Sequence, residues 1–82
     1  MESEELREQV RNLLRTGRLP LQRQISTWTG PGLDLPCAAC GRAVKPEDVD
    51  LELEFDGPWE TTIYRFHTDC KAIWEAERDE AA

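Results

Sequence analysis

The chain is poor in the residues that most chemistry uses. In 82 residues it has one histidine and three cysteines, and only 7% of it is aromatic. It has no long apolar run, and its mean hydropathy is -0.64. A membrane-spanning helix, which needs about 20 apolar residues, is therefore excluded. The start, MESEELREQVRNLL, is acidic and then amphipathic rather than basic and then apolar, so no signal peptide is expected. Neither a G-x-G-x-x-G nor a G-x-x-x-x-G-K-[ST] string occurs, and there is no room for a doubly wound dinucleotide fold. A domain this small buries only about 60% of its unfolded surface, so 39% hydrophobic residues make a thin core. Something else must staple it.

The scarce residues are themselves the staple. Cys37 and Cys40 form C-x2-C, residues 41–66 follow, and His67 and Cys70 form H-x2-C. Two close pairs of soft or borderline donors are what a tetrahedral zinc ion requires, because each short loop lets two side chains converge on one ion. Three cysteines leave one thiol over in any disulfide scheme, whereas a single zinc uses all four groups. The expected cytoplasmic location, with its reduced thiols, also favours metal. Cys37-Ala-Ala-Cys40 alone could read as a redox pair, but it does not open a helix in a βαβ pattern.

A catalytic zinc keeps one position open, with three protein ligands and a nearby base. Four donors instead predict a closed, structural site. Such a site binds with about 10 kcal/mol or more in zinc-finger peptides, enough to replace a core. Chelation is accordingly expected to unfold residues 37–76. No histidine or cysteine remains outside the set, so any catalysis would rest on carboxylates or a hydroxyl, and no catalytic residue is assigned. Glu52 and Glu54 share a strand face, where alternating acids usually meet solvent.

The rest of the chain is read in three segments. In residues 1–18, Leu6, Val10, Leu13 and Leu14 fall on one helical face, with Ser3 as an N-cap and Gly17 as a stop. A helix this short is marginal alone and needs a surface to lie on. Residues 19–36 hold three prolines and two glycines and read as an extended connector, with Gly30-Pro31-Gly32 as a turn and Trp28 plugging a gap in the core. Residues 37–82 form the zinc-binding module. Cys37-Ala-Ala-Cys40-Gly41 reads as a knuckle in which Gly41 takes a positive-φ step. Asp50 to Asp56 alternate strictly, placing Leu51, Leu53 and Phe55 on one face. Asp56-Gly57-Pro58 is a turn, and Thr61 to Phe66 is a return strand ending at His67. A helix from about Asp69, capped by Thr68, then turns Cys70, Ile73 and Trp74 inward.

Knuckle, β-hairpin, and a helix whose first turn supplies the last ligand resemble the treble-clef zinc fingers. The C-x2-C…H-x2-C order is similar to the poly(ADP-ribose) polymerase-type finger, which also has a long middle segment and an aromatic close to the histidine, as Phe66 is here. It is similar as well to the first zinc half of a LIM domain, although no second ligand set follows Cys70. Trp28-Thr29-Gly30-Pro31-Gly32 ahead of Pro36-Cys37-Ala38-Ala39-Cys40-Gly41 resembles a group of short bacterial zinc-binding proteins. The finger resemblance spans about Cys37 to Trp74 and implies one zinc on Cys37, Cys40, His67 and Cys70. The expected fold is a small α+β, zinc-stabilised, treble-clef-like module with an N-terminal amphipathic helix.

Charge divides the chain. Residues 37–82 hold five Lys/Arg against twelve Asp/Glu, a net of -7, whereas residues 1–36 hold five of each sign. The polymerase-type resemblance implies DNA binding, but phosphate binding depends on a basic surface. The acidic strand reads as a solvated edge. Within residues 7–23, Arg7, Arg11, Arg15, Arg18 and Arg23 face only Glu8. This basic stretch either docks on the acidic half of the chain, or of a second copy, or binds nucleic acid through Arg11, Arg15, Arg18 and Arg23. The expected function is a non-enzymatic protein-interaction module, binding a hetero-partner or itself, with Leu6, Val10, Leu13 and Leu14 as contact stripe. The alternative is a small nucleic-acid-binding or transcription-associated zinc finger.

Overall fold

A computed structural model describes residues 3–81. In chain order the elements are helix α1 (Ser3–Arg15), strands β1 (Ser26–Pro31), β2 (Leu35–Pro36), β3 (Ala43–Val44), β4 (Val49–Phe55) and β5 (Thr62–Phe66), and helix α2 (Thr68–Ala81). The result is a small α+β fold. One sheet has the order β1-β4-β5, and a two-strand ribbon joins β2 to β3; every pairing is antiparallel.

The expected α1 forms, with Glu4 and Glu5 in its first turn and Arg15 in its last, as the helix dipole favours. The side chain of Ser3, the expected cap, lies outside the described residues. At the far end the Arg18 N–H reaches back to the Leu13 carbonyl at 2.8 Å and the Gly17 N–H to Leu14 at 3.3 Å. These are the paired bonds of a Schellman C-cap. They turn the chain so that Leu19 drops into the core and Pro20 accepts a hydrogen bond from the Trp74 indole at 2.9 Å.

The alternation in β4 also forms as expected. Leu53 and Phe55 are buried and Leu51 is partly so, facing Tyr64 and Phe66 of β5. Trp74 of α2 closes this face. Its ring stacks on Phe66 at 5.4 Å and meets Phe55 edge-on at 5.6 Å. Arg78 lies over the same indole at 4.6 Å, a cation–π contact.

Several sequence expectations need correction. Part of the 19–36 segment is a strand rather than a connector: β1 pairs with β4 from Ser26 opposite Glu54 to Pro31 opposite Val49. Consequently β4 is the central strand and not an edge, and its acids are partly enclosed. Asp50 is buried and bonded by Arg65 at 3.0 Å. Gly30 and Pro31 end β1 and Gly32 follows it directly, so the three residues do not form the expected turn. Gly32 is required for close approach, since a Cβ there would lie 1.9 Å from the Lys45 carbonyl oxygen. Trp28 fills no gap, because its side chain stands on the open face of the sheet, 62% exposed.

Candidate metal centre

Each proposed ligand sits where a short element forces its direction. Cys37 and Cys40 flank the turn between β2 and β3. In that turn the Cys37 N–H bonds the Arg42 carbonyl at 2.8 Å, and the Gly41 N–H bonds the Cys37 carbonyl at 3.0 Å. Gly41 has φ +78°, the left-handed step expected there, which a side chain would strain. The Ala38 N–H bonds the Arg65 carbonyl at 2.7 Å and ties this knuckle to β5. His67 follows β5 directly, and Cys70 lies in the first turn of α2.

These elements bring four donors together. The ligand atoms of Cys37, Cys40, His67 and Cys70 all lie within 4.8 Å of one another and can hold one metal ion. His67 Nδ1 is 3.4 Å from Cys40 Sγ and 3.9 Å from Cys70 Sγ. Its other nitrogen, Nε2, is 3.2 Å from the Ala43 carbonyl oxygen. A carbonyl only accepts, so Nε2 carries the hydrogen and Nδ1 turns its lone pair toward the sulfurs. Outer hydrogen bonds of this kind orient metal-ligating histidines.

The sulfurs compete for negative charge. The Cys37 thiol is drawn down to about 4, chiefly by the hydrogen bond from Cys70 and, against the cost of burial, by backbone N–H groups. Cys70, the donor in that bond, is pushed far up, with burial adding to the rise. Burial is also the main cause of the rise at Cys40. Binding of a dication would favour the deprotonated form of all three sulfurs.

The other sequence-selected residues lie elsewhere. Leu6, Val10 and Leu14 are buried within the chain's own core and Leu13 packs against it. The stripe is therefore core in this fold, and not a free contact face. Arg11 donates to Glu77 at 2.7 Å, with Arg7 at 4.0 Å from the same carboxylate. Two of the five arginines of the basic stretch thus meet an acid of the C-terminal half of the same chain. The Glu77 hydrogen bond and charge raise the Arg11 pKa. Arg15 bonds Asn12, whereas Arg18 and Arg23 are exposed.

Buried Glu77 and Arg78 were not singled out by sequence reasoning. Their signal was available: Trp74, Glu77 and Arg78 follow Cys70 at helical spacing, on the same inward face. Comparison with protein families, curated proteins and solved structures finds no match for the chain. The geometry alone carries the functional reading.

Proposed function

We propose that the protein is a non-enzymatic, zinc-stabilised interaction module with a treble-clef-like metal site. The observation that carries this reading is the closed set of four donors. A tetrahedral zinc, with Zn–S of about 2.3 Å and Zn–N of about 2.05 Å, sets S···N edges of about 3.5 Å and S···S edges of about 3.8 Å. The Nδ1–Sγ separations of 3.4 and 3.9 Å bracket the first value. Three thiolates and one imidazole suit zinc better than the hard cations, which prefer oxygen. With all four positions supplied by Cys37, Cys40, His67 and Cys70, no open position remains for substrate or water. The ion's role in this reading is to hold the knuckle, the end of β5 and the start of α2 together.

The interaction surface in this reading is the sheet. The α1 stripe is taken up by the core, so the contact stripe expected from sequence is withdrawn in favour of the sheet face that carries Trp28. The nucleic-acid alternative is weakened by the engagement of Arg11 with Glu77 and by the net charge of -7. Two measurements test the proposal. Zinc content by mass spectrometry under native conditions should be one ion per chain. Titration of labelled duplex and single-stranded DNA and RNA at low salt should show no binding; salt-dependent binding would move the function to the alternative.

A further inference from the structure

The two faces of the three-stranded sheet are finished differently. On the inner face α2 packs against β4 and β5, and α1 packs against α2. The outer face carries two cross-strand rows in register. One sets Trp28, Glu52 and Arg65 opposite one another, and the next sets Ser26, Glu54 and Ile63. Trp28 and Ile63 are 62% and 54% exposed, on either side of an acidic central strand. Arg65 pairs with Asp50 at 3.0 Å and Glu52 at 3.5 Å, so this one cation offsets only one of the three acids Asp50, Glu52 and Glu54. Glu54 accepts one hydrogen bond, from Ser26 Oγ at 2.8 Å. Trp59, 95% exposed, stands on the loop joining β4 to β5, at the end of the sheet where Glu54 and Ile63 lie. Asp56 and Glu60 belong to the same loop.

We propose that this outer face binds a partner protein through a segment in which lysine or arginine alternates with aliphatic residues. The inference rests on the interaction-module reading and names the face and the chemistry of the partner. Cationic side chains meet Glu52 and Glu54 and lie over the Trp28 ring, where the negative quadrupole attracts them. The intervening aliphatic groups cover Trp28 and Ile63. Charge decides among occupants. A second copy would set this acidic face against itself, with a net of -7 on each chain. Phosphate-bearing surfaces meet the same repulsion.

The test is selection from a random-peptide display library on the zinc-loaded protein at physiological ionic strength, followed by titration of synthetic versions of the enriched peptides. The expected winners carry Lys/Arg interleaved with aliphatic residues. Trp28→Ser combined with Ile63→Ser should weaken their binding about tenfold or more, as for central aromatic anchors, with zinc content and melting midpoint unchanged. Glu52→Gln with Glu54→Gln should weaken binding and flatten its salt dependence. Enriched peptides that are acidic or uncharged, or that bind the Trp28→Ser/Ile63→Ser protein equally well, overturn this face as the site while leaving the module reading in place. If no peptide is enriched and the chain does not self-associate, both readings fall.

Discussion

Trp74 and Trp28 lie on opposite sides of the same sheet, and their surroundings differ in every respect. Trp74 is fully buried, stacked on Phe66, edge-on to Phe55, covered by Arg78 and hydrogen-bonded to Pro20. Trp28 is mostly exposed beside carboxylates. Cys70 and Trp74 are one helical turn apart, so an ion held by Cys70 would also fix the position at which Trp74 meets the sheet. Among the described residues, the helix packing falls on the inner face. The inner face carries the core, and the outer face is the one proposed above for contact.

The largest expected effect comes from breaking the link between ion and inner face. Cys70→Ser removes one of the donors, and zinc binding of about 10 kcal/mol or more is comparable to the whole stability of a small domain. The variant should lose zinc and its cooperative thermal transition; a folded, zinc-free Cys70→Ser protein would detach the inner face from the metal. Next in size, Trp74→Ala should destabilise by about 3–5 kcal/mol in chemical denaturation, the usual cost of truncating a large core aromatic. A smaller loss would mean that α2 is held mainly by Cys70.

The contact between the helices ranks third. Arg11→Ala leaves buried Glu77 with only the more distant Arg7, so the melting midpoint should fall, by less than for Trp74→Ala. Smallest of all, Trp28→Ser should change stability by no more than about 0.5 kcal/mol, as for a surface site. A loss near that of Trp74→Ala would show that the two faces are not distinct in the way described.

The parts of this architecture that were legible in the sequence are those with local causes. The ligand pairs stand at x2 spacing, the α1 stripe repeats at helical intervals, and the β4 alternation matches a half-buried strand. What stayed hidden depends on partners distant in sequence. Ser26–Pro31 ends in a glycine and a proline, which mask the strand-favouring Thr27-Trp28-Thr29, yet it is an edge strand, where a residue lacking an N–H is tolerated. Its strand identity comes from pairing with β4, some 20 residues away. The meaning of Gly32 depends on the Lys45 carbonyl, and the burial of Glu77 on arginines 66 and 70 positions earlier. Leu6, Val10 and Leu14 were correctly placed on one face; which surface covers that face is a tertiary fact.

The central claim is that one zinc on Cys37, Cys40, His67 and Cys70 holds this fold. The most direct measurement follows far-ultraviolet circular dichroism and Trp fluorescence of the zinc-loaded protein as a strong chelator is added, with released zinc counted in parallel. The account predicts one zinc released per chain, concurrent loss of helical signal and a shift of buried-Trp emission toward that of exposed indole, all reversed by added zinc. Release of the metal with both spectra unchanged would contradict it.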